Sequence, residues 1–308
     1  MRPVPAGVTL RPATAGDAPA ASRTLTLALD DLYERQRRAA PDAHPHEVVY
    51  AHLAGDGATS FWVAETAQGV VGFSVGMRRS GLWFLGGLFV LPEWQGRGLG
   101  QALLERAEES RSADGVAAVL SSASNELSNR LYARRGMVPL LPVLQMTGAL
   151  SLRGEPGLPS GLHAGRLTGG ERDLGALREI DEKVLGVDRS VDHRWLLGGA
   201  RSGWLFERGG RPAAYAYLGG DGTEGAAVVG PAAALRGSDI APVVAFALAR
   251  LAATGAPQGG VMVPGSALTV QRMLWAADFR FHGATALLGA TRPFGRFDRY
   301  VFAGNALM

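Results

Sequence analysis

The stretch Leu88-Phe89-Val90-Leu91-Pro92-Glu93-Trp94-Gln95-Gly96-Arg97-Gly98-Leu99-Gly100-Gln101-Ala102-Leu103-Leu104 reads as an apolar strand, a glycine turn and the start of an amphipathic helix. Glycines at alternate positions let the backbone approach a ligand without a Cβ in the way. The helix behind them begins with unpaired N–H groups and a partial positive charge, so the turn suits an anion such as a phosphate. A Walker loop needs Gly-Lys-Ser/Thr, and no lysine stands nearby. A dinucleotide fingerprint needs Gly-x-Gly-x-x-Gly after a parallel strand, and here the spacing is Gly-x-Gly-x-Gly. Both are excluded. A tight strand-to-helix connection with no ligand also fits this segment.

Outward from the turn, three β-like runs precede it: Ser60 to Glu65, Gly69 to Arg78 and Leu82 to Leu91, an antiparallel meander in pattern. Before them come a short strand, Val8 to Thr14, and a helical period over Asp17 to Arg38. After the turn follow a helix (Gln101 to Arg111), a strand (Val116 to Ser121), a helix (Glu126 to Arg135) and an apolar run, Val138 to Leu150. Ser151 to Gly161 is rich in Gly and Pro and reads as a linker. Beyond it the same order recurs. Strand Leu162 to Thr168 and helix Glu171 to Leu185 lead into a second meander (Trp204 to Arg208, Arg211 to Leu218, Ala226 to Val229). Helix Ile240 to Ala253, strand Gly260 to Pro264, helix Leu268 to Ala277 and closing strands at Ala284 to Ala290 and Tyr300 to Ala303 complete it. The chain reads as a duplicated α/β unit, with domains at 1–150 and 160–308.

Composition narrows the chemistry. The 308 residues are 47% hydrophobic and 19% charged, a globular balance, and cysteine is absent. Disulfides, zinc–thiolate sites and cysteinyl intermediates are thereby excluded. The net charge is only +3, and Lys183 is the sole lysine among 31 basic residues, so arginine sets the high isoelectric point of 9.6. No nucleic-acid signature accompanies it. No run of 18 apolar residues is present, and Met1 to Asp17 carries no hydrophobic segment after a basic start. No membrane association and a cytoplasmic location are the expectation. The Ala, Gly and Arg bias suggests a bacterial, GC-rich genome.

A second block, Asn125-Glu126-Leu127-Ser128-Asn129-Arg130-Leu131-Tyr132-Ala133-Arg134-Arg135-Gly136-Met137, stands downstream of the turn. Together, Gln95-x-x-Gly98-x-Gly100 and this block resemble the acyl-CoA loop and the Asn-x-x-Ala-x-x-Leu-Tyr-x-x-x-Gly-Phe segment of GNAT N-acetyltransferases, with Ser128 for Ala and Met137 for Phe. The resemblance covers about residues 7 to 150. It implies a mostly antiparallel twisted sheet flanked by helices, with acetyl-CoA or another acyl-CoA as co-substrate. Gln95 and the amides of Gly96, Arg97, Gly98, Leu99 and Gly100 would hold the pyrophosphate, Arg97 adding charge. The strand Leu88, Phe89, Val90 would splay from its neighbour, so that the amides of Leu88 and Val90 meet the pantetheine amides and the thioester carbonyl. Asn125 would contact the pantetheine arm, and Tyr132 would protonate the departing thiolate. A packed core tyrosine also fits position 132. Strand Leu82 to Leu91 contains no acid to serve as base; Glu65, Asp30, Asp31 and Glu126 are the candidates, and Glu93 reads as a solvated surface residue. Without cysteine, direct transfer in a ternary complex is favoured.

The C-terminal half resembles the acetyltransferase domain of bacterial YitH-like proteins, through Ile180-Asp181-x4-Gly186-x-Asp188-Arg189, Val229-Gly230-Pro231 and the run Tyr300 to Leu307. Aligning Val229-Gly230-Pro231 with Val90-Leu91-Pro92 sets Ala234 at Gln95, Gly237 at Gly98 and Asp239 at Gly100. Aligning Asp278-Phe279 with Gly136-Met137 sets Leu274 at Tyr132. This copy is therefore expected to be degenerate, with a structural, acceptor-site or interface role. His44, His46 and His52 read as loop residues rather than metal ligands, and no metal is expected. Gly219 to Gly222 reads as a hairpin turn. The expected activity is transfer of an acetyl group to a primary amine of a small molecule or peptide, by a monomer or homodimer. The alternatives are a longer acyl-CoA as donor, or a non-catalytic acyl-CoA sensor.

Overall fold

The computed structural model describes residues 4–38, 46–57, 59–150, 157–199, 201–219, 227–283 and 285–307. The chain forms two compact units. Unit 1 comprises residues 1–121, 125–138 and 289–292, and unit 2 comprises 122–124, 139–288 and 293–308.

In unit 1, β1 (Thr9–Pro12) leads through a turn at Ala15–Asp17 into α1 (Ala18–Arg35), and α2 (Glu47–Gly55) follows. Strands β2 (Thr59–Thr66), β3 (Gly69–Arg79) and β4 (Leu82–Val90) form the meander, joined antiparallel in the order β1-β2-β3-β4. Helix α3 (Leu99–Glu108), strand β5 (Val116–Ser122) and helix α4 (Glu126–Ala133) come next, and β5 pairs parallel with β4. The central strand β3 is buried along nearly its whole length, as Val70, Val71, Phe73, Val75 and Met77 fill both faces. α3 can lie close to it because position 76 is glycine: a Cβ there would stand 2.8 Å from the Ala107 carbonyl and from the Trp83 ring. The Ser74 hydroxyl donates to the Leu103 carbonyl at 2.8 Å across the same contact.

Helix α2 is missing from the sequence reading, which left its start as a polar loop. Nine residues are too few for a helical period to stand out, and tertiary packing of Tyr50 and Leu53 holds the helix in place. His46 is its N-cap; positions 44 and 45 lie outside the described residues. Most of the linker, 151–156, and most of the expected hairpin turn, 220–222, lie outside them too.

Strand β6 (Val138–Ala149) ends the first half in sequence, but its hydrogen-bonded partner is in unit 2, where Val143 to Ala149 run antiparallel to β11 (Gln258–Pro264). The rest of unit 2 repeats the element order of unit 1. Strand β7 (Leu162–Arg166), α5 (Glu171–Val184), the unforeseen short α6 (Ser190–Gly198), β8 (Arg201–Arg208), β9 (Arg211–Gly219), β10 (Val228–Ala234) and α7 (Gly237–Ala252) precede β11. Then come α8 (Leu268–Ala276), β12 (Arg280–Phe281), β13 (Ala286–Ala290) and β14 (Tyr300–Val301). The sheet order is β6-β11-β10-β9-β8-β7, with β12 beside β6 and β14 beside β10. Its core is the face on which Phe206, Ala216, Val229 and Val261 meet Ile240, Val244, Leu248 and Leu274. Both units are mixed α/β, each with a mostly antiparallel sheet flanked by helices.

Candidate active site

The site in unit 1 begins with an irregularity in β4. Val75 of β3 opposes Gly87, but Gly76 opposes Leu85, so Gly86 is an extra residue, a bulge. Parallel pairing with β5 runs from Leu82↔Val116 to Leu85↔Val119 and ends there, beside the bulge. Beyond it the Leu91 N–H donates to the Val71 carbonyl at 2.9 Å, toward β3. Strand alternation then turns the amides of Leu88 and Val90 away from β3, toward the opening beside β5. The Gln95 side chain donates to the Val90 carbonyl at 2.9 Å and ties the turn to the strand. Phe89 lies on the opposite face against Phe73, ring centroids 5.5 Å apart.

The turn is anchored below and open above. Leu99 is buried with Ala64, Val71, Val90 and Leu103. Gly96 and Gly98 take left-handed conformations, φ +73° and +83°, which favour glycine, and Gly98 is the N-cap of α3. A Cβ at either would meet nothing within 4 Å, and one at Gly100 would touch only Val90. The first helical bond runs from the Ala102 N–H to the Gly98 carbonyl at 3.1 Å, so the amides of Leu99, Gly100 and Gln101 are the first-turn donors that an α-helix leaves over. Arg97 lies 5.1 Å above the Trp94 ring, and Arg35 of α1 donates to Gln95 at 3.4 Å. Geometry, room and sign of charge all fit a phosphate group.

Asn125 caps α4, its carbonyl oxygen accepting from the Ser128 N–H at 3.2 Å, which still leaves its side-chain NH2 as a donor. Tyr132 is buried in the cluster of Trp83, Leu85, Leu104, Ala107, Ala117, Val119 and Met137, with Leu88 packed against it. The same cluster takes in residues of both β4 and β5. Burial pushes its phenol up to about 12, opposed by a hydrogen bond with the Ser128 side chain, so Tyr132 holds its proton through the neutral range. That state suits a proton donor, and the packing is also that of a core residue.

Two acids considered as bases are engaged elsewhere. Arg11 binds Glu65 and Asp17, each at 2.8 Å; the hydrogen bond from Arg11 is the main cause of the lowered Glu65 carboxyl and of an Asp17 value of about 2. Asp31 pairs with Arg35 at 2.5 Å. Asp30 and Glu126 are exposed. Among the described residues, no group of three or more His, Asp or Glu is placed to hold a metal ion, and no helix is long and apolar enough to cross a membrane. A surface depression of about 400 Å³ lined by Trp62, Arg78 and Glu109 lies past the C-terminal end of α3, the far end from the glycine turn.

The corresponding region of unit 2 differs at four points. Helix α7 begins at Gly237 as α3 begins at Leu99, so Arg236 takes the place of Gly98, a one-residue correction to the sequence alignment; its φ is −116°, and no left-handed turn forms. The Asp239 carboxylate is buried in the first turn and pairs with Arg208 at 3.2 Å. Leu274 holds the place of Tyr132, as expected: the Phe279 N–H bonds to its carbonyl at 3.0 Å just as Met137 bonds to Tyr132 at 3.1 Å. Strand β10 pairs in parallel with β11 only at Val228↔Gly260 and Val229↔Val261. Then β14 enters the gap, with Ala232 opposite Val301 and Ala233 opposite Tyr300, while Phe302 bridges to Met262.

Residues 57–138 match the family model described as Acetyltransferase (GNAT) domain. A search of curated proteins gives no match to the chain. Among solved structures, a chain from Pyrococcus horikoshii, described only as a candidate acetyltransferase, is 15% identical with TM-score 0.71, covering 100% of this chain and 98% of that one. A GCN5-related N-acetyltransferase from Sphaerobacter thermophilus is 20% identical with TM-score 0.65, covering 95% and 98%. The tandem GNAT protein from the clavulanic acid biosynthesis pathway is 16% identical with TM-score 0.60, covering 93% and 99%. Residues 57–138 thus match the model of the GNAT acetyltransferase domain, and the chain as a whole has the fold of tandem GNAT proteins.

Proposed function

We propose that this protein transfers an acyl group, acetyl in the first instance, from acyl-CoA to a primary amine of a small molecule or peptide, at a single site in the 1–150 half. The observation that supports it best is the parting of β4 from β5 after Leu85↔Val119, beside a glycine turn where a Cβ on Gly96 or Gly98 would meet nothing within 4 Å. In this reading the amides of Gly96 to Gly100, with Arg97 nearby, bind the pyrophosphate. Those of Leu88 and Val90 bind the pantetheine arm and polarise the thioester carbonyl. Asn125 contacts the arm through its side-chain NH2. The bound co-substrate supplies the acyl thioester. Tyr132 gives its proton to the sulfur as the C–S bond breaks, the amine nitrogen forms the new bond to the carbonyl carbon, and the proton that the nitrogen sheds passes to solvent, which returns one to Tyr132. Without cysteine the chain offers no thiol for an acyl-enzyme, and transfer is direct within a ternary complex.

The 160–308 half is proposed to keep the fold and bind no acyl-CoA. Its turn lacks the left-handed glycine, Asp239 would repel a phosphate, and β14 lies in the gap that a pantetheine would need. The test is release of free thiol from acetyl-CoA in the presence of a panel of primary amines. Amine-dependent release supports the reading. Binding of acetyl-CoA with no release for any amine would point instead to a sensor.

A further inference from the structure

Leu85, Leu88 and Val90 pack toward α3, so strand alternation places Gly87 and Phe89 on the other face of β4. That face is lined with rings. Tyr50 of α2 is fully buried and packs edge-on against Phe61 of β2 and Phe73 of β3, with centroids 5.9 and 5.0 Å away. One polar atom in this cluster is unsatisfied: among the described residues, the Tyr50 hydroxyl has no hydrogen-bond partner. It is aimed at β4, where a Cβ built on Gly87 would stand 3.0 Å from the Phe73 ring and 3.7 Å from the hydroxyl. Gly87 directly follows the bulge residue Gly86 and directly precedes Leu88. A phenylalanine would fill the same space without stranding a donor in the core, and a buried hydroxyl with no partner is disfavoured.

We propose that the Tyr50 hydroxyl donates a hydrogen bond to the carbonyl oxygen of the acyl thioester at Gly86–Gly87, as a catalytic residue beside the Leu88 amide. This rests on the acyl-CoA reading above. Burial holds the phenol in its protonated form, so it meets a ligand as a donor and needs an acceptor atom. The attacking amine offers none, because its lone pair is directed at the carbonyl carbon. The pyrophosphate belongs to the turn, and four residues of strand, about 13 Å, separate Gly87 from Leu91 at its edge. The thioester oxygen is the acceptor at this depth. As the C–N bond forms and the C–S bond breaks, charge on that oxygen rises and then falls. Tyr50 keeps its proton throughout, and the proton that reaches sulfur comes from Tyr132. Two glycines in succession leave β4 without side chains where the oxygen and the hydroxyl would meet.

The test is Tyr50→Phe in the full chain, with titration of CoA and acetyl-CoA, turnover, thermal unfolding and the infrared carbonyl band of bound carbonyl-13C-labelled acetyl-CoA. Expected are an unchanged CoA affinity, a kcat lower by on the order of 100-fold, a carbonyl band shifted to higher wavenumber, and a melting temperature no lower than that of the original protein. If CoA binds and both kcat and the band stay as they were, the Tyr50 assignment fails and the acyl-CoA reading stands. If the original protein binds neither CoA nor acetyl-CoA, both fail. A lowered melting temperature in the ligand-free variant would show that the hydroxyl already has a partner, and would also overturn the assignment.

Discussion

Tyr300 stands opposite Ala233 on β10, in the gap that opens once β10 and β11 cease to pair at Val229↔Val261. Its hydroxyl accepts from Arg189 at 2.9 Å, and Arg189 binds Asp181 at the same distance. The second unit thus closes with its own backbone the opening that the first unit leaves beside Leu88. One acyl-CoA per chain is expected by titration calorimetry. A stoichiometry of two, with both sites of micromolar affinity, would refute the closed-gap account.

At the turn, Gly98 with φ +83° is a position where a side chain costs ~1–2 kcal/mol in backbone strain. A side chain at Gly98 or Gly100 also fills space that is otherwise open. Replacing both by valine should weaken CoA binding by ~100-fold or more, about 2.7 kcal/mol, with little loss of fold, because no atoms near Gly98 must move. Unchanged affinity would remove the turn from the binding site.

Tyr132→Phe should lower kcat by ~10²–10⁴-fold and leave the affinity for acetyl-CoA nearly unchanged. Its phenol is held up at about 12, so the donor is present at lower pH and is lost only as pH rises toward that value. The pH–rate profile of the original protein should therefore show no fall caused by Tyr132 below about pH 10. If Tyr132→Phe turns over normally, Tyr132 is a core residue and the acid lies elsewhere.

The network around Asp181 predicts acid sensitivity. Burial alone would raise this carboxyl, but the charge of Arg189 and the contribution of His193 outweigh it and hold it at about 2, below the ordinary 3.8. The folded value is the lower one, so the stabilisation is complete above about pH 4 and disappears as pH falls toward 2. It is worth on the order of 2 kcal/mol. Asp181→Asn removes the carboxylate that Arg189 binds in the core and should cost ~3–5 kcal/mol near pH 7. Urea unfolding at pH 7 and pH 3 checks both: the gap between the two proteins should narrow at the lower pH, and equal stability at pH 7 would contradict the prediction.

Much of the frame is readable from residues close together in the chain. The spacing Gly96, Gly98, Gly100 announces a left-handed turn into a helix, because only glycine takes φ +73° and +83° without strain. The alternation in β2 to β4 and the helical period of α1, α3 and α7 follow from which residues are buried. Even Leu274 in the place of Tyr132 comes out of simple counting from Asp278-Phe279. These features are local, and the local chain carries their cause.

Other features depend on partners far away in sequence, and periodicity cannot name a partner. Nothing in Val138 to Ala149 says that it pairs with Gln258 to Pro264, or in Tyr300-Val301 that it lies beside Ala232-Ala233. The nine residues of α2 are a helix because the sheet gives Tyr50 and Leu53 an apolar surface to cover. The bulge at Gly86 and the Tyr50 hydroxyl beside Gly87, with no partner among the described residues, appear only when β3, β4 and α2 are assembled. Sequence determined the turn and the order of the longer elements, since backbone preference and burial pattern act over a few residues. Tertiary structure decided which cleft stays open and what lines it, since strand pairing joins segments whose separation along the chain leaves no local trace.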